Sequence, residues 1–265
     1  MKNLSVFVLF LFCLTFTLNA QVTTSGISGK VTAEGELLIG ATVQAVHEPS
    51  GTTYGTVTNA DGRYSLQGMR TGGPYTVEVS YVGFQKAVYK NITLQLGETY
   101  LLDVKLTESL SLDEVVVTAS KAALFNSQKT GAAQNFNQSQ IQATPSVSRS
   151  IFDVTKMNPL GVNTASGMSF AGSSNKYNSF QIDGITNNDV FGLSSSGTNG
   201  GQAGANPISL EAIEEIQVVI APYDVRQGGF TGGGINAITK SGTNTFHGSA
   251  YWYYNNENFY GKTPG

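Results

Sequence analysis

From Tyr75 to Ser80 the chain alternates strictly: Tyr75, Val77 and Val79 are apolar, while Thr76, Glu78 and Ser80 are polar. Tyr81 extends the apolar set by one more step. Successive residues of a strand face opposite sides, so this run buries one face and wets the other. Leu102, Val104 and Leu106 repeat the pattern against Asp103 and Lys105. Turn residues divide such runs. Asp61-Gly62 lies between Thr56-Val57-Thr58 and Tyr64-Ser65-Leu66, and Asp-Gly supplies the positive φ angles of a tight hairpin. Gly72-Gly73-Pro74 marks a second turn. About seven short strands in roughly 80 residues, with no helical period between them, specify a small β-sandwich. Its expected extent is residues 21–107, with the compact part from 25.

The first 20 residues have a different character. Lys2 is followed by an uncharged apolar run from Leu4 to Leu18 and then by Asn19-Ala20-Gln21. A basic start, a short hydrophobic stretch and a small residue at the end predict a secretory leader, cut between Ala20 and Gln21. The run falls short of the ~20 apolar residues of a spanning helix. Cys13 follows Phe12 inside the apolar run, where a lipoprotein signal requires a small residue, so lipidation is not expected. Because Cys13 is the sole cysteine, the exported chain holds no disulfide, thiol nucleophile or thiolate metal site. Of 15 basic residues Lys2 leaves with the leader, so 14 stand against 18 acidic ones, a net charge near −4. That balance argues against nucleic acid, which calls for a basic face. Charged residues make up 12% of the chain, about half the ~25% usual in soluble domains. An exported, cysteine-free and charge-poor chain fits a bacterial cell envelope.

Residues 108–120 read as a linker carrying one strand, Leu112-Asp113-Glu114-Val115-Val116-Val117-Thr118-Ala119-Ser120. β-Branching favours extended backbone, and no hairpin partner adjoins it. Its free N–H and C=O groups make it either an inter-domain connector or a strand offered for β-augmentation by another protein. Residues 121–243 read as a small α/β unit with long polar loops. A helix is expected over Ser148–Met157, stopped by Asn158-Pro159. A second is expected over Leu210–Ile216, capped by Ser209 with Glu211 near its positive end. Strands are expected at Phe180–Ile182 before the Asp183-Gly184 turn, at Gln217–Ile220 and at Ile235–Thr239. From Phe246 to Tyr254 an extended run ends in Tyr251-Trp252-Tyr253-Tyr254. Aromatic residues gather in this way at the membrane boundary of outer-membrane barrels.

Catalytic and cofactor readings fail residue by residue. Gly232-Gly233-Gly234-Ile235-Asn236-Ala237 fits G-x-G-x-x-A, yet strand-forming residues follow where a helix is required, and no acid stands about 20 residues on. Tight turns and close packing explain these glycines better. Gly167-Met168-Ser169-Phe170-Ala171 misses the last glycine of a nucleophile elbow. His47 has no second histidine at helical spacing, and His247 opens the aromatic run, where a periplasmic rim position is expected. Asn59 and Asp61 before Gly62 hint at calcium, but Gly68 stands where an EF-hand loop needs Glu. No catalytic residue, metal ligand or cofactor is expected, and the chain is not read as an enzyme.

Taken in order, these parts resemble the N-terminal portion of a TonB-dependent outer-membrane receptor of the Bacteroidetes type, specifically the Oar-like subgroup. Thr58-Asn59-Ala60-Asp61-Gly62-Arg63-Tyr64-Ser65-Leu66 and Val79-Ser80-Tyr81-Val82-Gly83-Phe84 resemble the carboxypeptidase-regulatory-like domain that precedes such receptors. Asn178–Gly184, Asn187–Gly192, Ala221–Phe230 and Gly232–Asn244 resemble the plug. The resemblance implies a mainly β chain. A sandwich of carbohydrate-binding-like fold comes first, then an α/β plug domain over 121–243. The first strand of a transmembrane β-barrel follows over 244–265. The family closes a barrel of about 22 strands around its plug, and only one transmembrane strand of about 9–11 residues fits after Thr243, so the chain is expected to be a fragment.

The resemblance also assigns roles. Asp113, Glu114, Val115, Val116, Val117, Thr118 and Ala119 are the segment TonB would grip, with ExbB and ExbD supplying the energy. Residues 21–120 would lie on the periplasmic side of the outer membrane, and a surface lipoprotein is a further partner that the resemblance allows. The plug would gate active uptake of an unidentified substrate. The alternative is a secreted or surface binding or adhesion module without transport. Asn187, Asn188, Asp189 and Ser194–Thr198 are loop residues that could face a ligand, but packing is the preferred reading.

Overall fold

The computed structural model describes residues 22–108, 115–118, 132–146, 148–164, 167–222, 224, 226–250, 252, 254, 256 and 259. The leader with its Ala20–Gln21 cut lies outside them, as do Asp113, Glu114 and Ala119 of the linker strand.

Nine strands build the first unit: β1 (Ser25–Ala33), β2 (Glu36–Leu37), β3 (Thr42–His47), β4 (Thr52–Val57), β5 (Arg63–Met69), β6 (Gly72–Ser80), β7 (Ala87–Leu94), β8 (Thr99–Leu101) and β9 (Val104–Leu106). β1 organises one sheet, with β2 and β5 antiparallel to it and β8 and β9 parallel. The other sheet runs β10-β7-β6-β3-β4, where β10 is Val115–Thr118 of the linker. Ile27, Val31, Val43, Ala45, Tyr75, Val77, Val79 and Val104 are fully buried between the two. Each such Val or Ile is worth about 1.5–3 kcal/mol in apolar burial. The alternation therefore reads correctly at Tyr75, Val77 and Val79, and at Leu102, Val104 and Leu106. Gly29 is required where β1 passes β8 and β9, because a Cβ there would lie 1.9 Å from the Leu102 carbonyl oxygen.

Two turn expectations are corrected. Asp61-Gly62 does turn the chain, with Gly62 at φ 63° and Asn59 Oδ1 accepting from the Asp61 and Arg63 N–H groups at 3.0 and 2.9 Å. It is not a hairpin, however: β4 pairs with β3 and β5 with β1. The turn is an arch between the sheets, which lets Tyr64 and Leu66 reach the core from the opposite side. Gly72-Gly73-Pro74 is the irregular start of β6, with a register shift against β7 and a cis Gly73–Pro74 bond.

The second unit is a mixed sheet ordered β11-β16-β17-β14-β15. Its strands are β11 (Ala132–Asn137), β14 (Ser179–Ile182), β15 (Ile185–Thr186), β16 (Ile213–Ile220) and β17 (Gly233–Thr239), with β14 and β17 parallel. Helices α1 (Gln138–Ala143) and α2 (Ile151–Thr155) belong to the same unit, with the hairpin of β12 (Gly161–Thr164) and β13 (Gly167–Phe170). Ile141, Ile151, Val154 and Phe170 pack with Phe136, Ile216, Val218, Ile235 and Ala237 of the sheet. Asn137 caps α1 through a capping box with Gln140.

The expected helix over Ser148–Met157 is shorter than read: Ser150 caps α2, and only 151–155 are helical. Ser146, Ser148 and Lys156 all donate to the Asp153 carboxylate. Burial alone would raise that carboxyl, and these donors hold it at about 2. The expected helix over Leu210–Ile216 is also corrected. After Ser209 a single 3₁₀ turn spans Leu210–Ala212, and the strand begins at Ile213. The apolar run wins because it is buried on both sides of the sheet. Among the described residues, 240–250 form no strand, and the rest of the expected first barrel strand over 244–265 lies largely outside the described residues. Asn244 N–H donates to the Pro49 carbonyl at 3.0 Å, and among the described residues no strand pairs with the segment.

Candidate partner strand and the interface behind it

β10 lies parallel to β7 in a register of Val115 with Ala87, Val116 with Val88, Val117 with Tyr89 and Thr118 with Lys90. Four of the seven residues singled out in the linker thus form a strand, and that strand has a partner. The expectation of an unpaired strand is corrected on this point. The chain is steered there as it leaves the sandwich: Gln85 N–H donates to the Thr107 carbonyl at 2.9 Å, and Phe84 bridges Glu108. The linker therefore starts beside the beginning of β7. On its other side β7 is filled by β6, so β10 covers an edge that would otherwise expose a row of backbone groups. Nothing in the sequence gives the register of a non-local parallel pair.

A second feature was missed from sequence. The turn after β7 seats its backbone on the sheet of the second unit. Leu96 N–H donates to both Glu215 carboxylate oxygens at 3.1 Å. Its carbonyl accepts from Gln217 Nε2 at 2.8 Å and Asn135 Nδ2 at 3.2 Å. One strand over, Asn236 Nδ2 donates to the Val22 carbonyl at 3.1 Å. Gly97 turns the chain at φ 70°, where a Cβ would meet Val22 Cγ1 at 3.1 Å. Glu215 is only 3% exposed. Burial raises its carboxyl to about 8, against the opposing pull of the Leu96 N–H, with Glu98 and Glu214 adding repulsion. The available signal was Glu214-Glu215 and Gln217 inside a strand whose other residues are apolar.

The polar loop after β15 is consumed by its own bonds. Asn188 Oδ1 accepts from Phe180 N–H at 2.7 Å and Asn188 Nδ2 donates to the Asn178 carbonyl. Asp189 accepts from Ser194 and Phe191 N–H groups, the Ser194 N–H contributing most to holding its carboxyl low. Ser194, Ser196 and Thr198 form a hydroxyl chain, and Asn199 donates to Asn187. These contacts tie the loop to itself and to β14. The exposed groups at the loop tip are instead Val190, Phe191 and Leu193.

The rejected motifs sit in structural positions. Ser169 is in β13. A Cβ on Gly233 would lie 2.4 Å from the Phe170 ring, and one on Gly234 2.7 Å from Phe230, which is the close packing read from the sequence. His47 is buried with Nδ1 2.7 Å from Ser50 Oγ; burial first, and then Arg70, lower its pKa. Among the described residues no cluster of three or more His, Cys, Asp or Glu is arranged to hold a metal.

Residues 26–107 match the carboxypeptidase regulatory-like domain, which gives the first unit its class. The chain is 29% identical over 204 residues to the TonB-dependent transporter Oar of Myxococcus xanthus, covering 74% of this chain and 18% of that protein. It is 35% identical over 131 residues to the TonB-dependent receptor P26 of Formosa agariphila, covering 48% of this chain and 12% of that one. Together these matches support an Oar-like TonB-dependent receptor, the family the sequence resembles. The chain spans less than a fifth of the length of either relative. Among solved structures, a catechol 1,2-dioxygenase of Acinetobacter radioresistens aligns with 37% of this chain and 58% of its own, at 15% identity and a TM-score of 0.28. So slight a likeness bears on neither fold nor chemistry.

Proposed function

We propose that this chain is the N-terminal part of an outer-membrane TonB-dependent receptor, in which the second unit is a plug inside a β-barrel and Asp113–Ala119 is the segment TonB takes hold of. The observation that carries the reading is the succession of a carboxypeptidase regulatory-like sandwich, a valine strand on a linker and a mixed-sheet unit, within a chain similar to two TonB-dependent proteins. A barrel of about 22 strands has a lumen wide enough to need a stopper. Opening the stopper needs work delivered from the inner membrane, through ExbB, ExbD and TonB. Strand addition suits that task, because main-chain hydrogen bonds along an extended segment carry tension and depend little on side chains. The substrate would enter when the plug moves, and residues 21–120 would face the periplasm. Deleting Asp113–Ala119 should abolish co-purification with TonB's periplasmic domain and uptake by the full-length receptor. Undiminished co-purification would refute the assigned role.

A further inference from the structure

We propose that the junction of the two units holds a docking site for the chain's own N-terminus: the α-amino group freed on Gln21 by leader removal enters a small cavity beside Val22 and donates to Asn236 Oδ1. The proposal rests on the expected cut between Ala20 and Gln21, and makes that cut the step that completes the seat of the sandwich on the second unit's sheet.

Three observations carry it. Asn236 is 8% exposed. Its Nδ2 donates to the Val22 carbonyl at 3.1 Å, which fixes the amide's orientation and turns Oδ1 the other way, where this buried acceptor meets no donor among the described residues. Val22 is itself pinned. It is 7% exposed, a Cβ on Gly97 would lie 3.1 Å from its Cγ1, and the Thr24 carbonyl accepts from the Gly97 N–H at 3.1 Å. A cavity of about 20 Å³ adjoins Val22 and Asn236, bordered also by Gln181, Gln217, Gln227 and Arg226. That volume admits one group the size of a water molecule.

An ammonium group has that size and carries only donors. Gln21 lies outside the described residues, but it is bonded to Val22, and consecutive Cα atoms are about 3.8 Å apart across a trans peptide. An amino group on Gln21 therefore starts next to the cavity. Arg226, on the rim, is tied to Asp224 through Nε and Nη2, so its charge is matched before an ammonium arrives. A buried acceptor left without a donor costs the full desolvation of the group, and the new terminus removes that cost. The uncut chain cannot do the same. Its residue 21 carries a peptide N–H and the whole leader, and the apolar run from Leu4 to Leu18 does not fit a space for one water.

Reactivity of the terminus tests this on the processed chain, whose first residue is read by mass spectrometry. Acylation of the α-amino group by an N-hydroxysuccinimide ester, followed on the N-terminal peptide, should be at least about 30-fold slower in the folded chain than in urea, because only the undocked fraction reacts. Open-chain Gln21 should also persist in the folded chain, whereas in urea its α-nitrogen attacks the side-chain Cδ and ammonia leaves. Asn236→Leu removes the acceptor and should bring both rates to within about threefold of the unfolded values. A chain extended by Gly-Ser before Gln21 should exchange its Leu96 amide about tenfold faster, the loss of one net hydrogen bond at the seat. A Gln21 amino group as reactive in the folded chain as in urea, the result expected if water fills the cavity, would overturn the site and leave the cut intact. A terminus already cyclised would do the same. Unchanged Leu96 exchange in the extended chain would overturn the link between the cut and the seat. A first residue other than Gln21 would remove the cut, and this inference with it.

Discussion

Glu215→Gln isolates the cost of the buried carboxyl at the junction of the two units. In the folded chain burial lifts Glu215 from 4.5 to about 8, so the neutral acid is the favoured form there. The stability associated with that form is fully present below pH ~4.5, and is lost as pH rises through 8. The rise corresponds to about 5 kcal/mol at pH 9, and to about 3 kcal/mol at pH 7. Glutamine keeps a carbonyl to accept from Leu96 N–H. Its new amide lies on the sheet face that carries Asn135, whose buried Oδ1 accepts no bond from protein. The repulsion from Glu98 and Glu214 disappears with the charge. Urea unfolding followed by circular dichroism from pH 5 to 9 should find the variant within about 1 kcal/mol of wild type at pH 5. Its advantage should reach about 3 kcal/mol at pH 7 and about 5 kcal/mol at pH 9. The protection of the Leu96 amide relative to its intrinsic, base-catalysed exchange should fall with pH in wild type and hold in the variant. A stability difference that stays flat across this range would refute the argument.

Other positions give sharp expectations. Gly97→Ala forces a Cβ into the left-handed region beside Val22 and Gln217, and should lower stability by about 1–2 kcal/mol while speeding exchange at Leu96 more than in the sandwich core. Thr58 Oγ1 donates to the Leu38 carbonyl at 2.6 Å and accepts from Ala41 N–H at 2.9 Å, fully inside the protein. Thr58→Val keeps the shape but strands both groups, and chemical denaturation should register a loss of about 2–4 kcal/mol.

How much of this was legible varied with how local the cause was. Where one face of a strand is buried and the other wet, as at Tyr75–Ser80 and Leu102–Leu106, the pattern alone identified strand and core face. Turn chemistry at Asp61-Gly62 was legible too, but a turn does not say to which sheet the next strand goes. The Leu210 region carried a true cap at Ser209, and that local signal outweighed an apolar run whose continuity through Ile220 made it a strand. The partner of β10 depends on a parallel register between segments far apart in sequence, for which no local residue is diagnostic. Glu215 escaped notice because an acid in an apolar strand acquires its meaning only from the turn that covers it.

The hydrogen bonds across the junction come from main chain on the sandwich side: the N–H and C=O of Leu96 meet Glu215, Gln217 and Asn135, and the Val22 carbonyl meets Asn236. The tolerance for change is therefore lopsided. A domain that brings a similarly bent backbone to this spot, with glycine at the bend and an apolar residue before it, can plug into the same socket. The four polar residues of the receiving sheet have no such freedom. Exchanging the sandwich for that of another receptor should leave the junction serviceable, whereas redesigning those four should not.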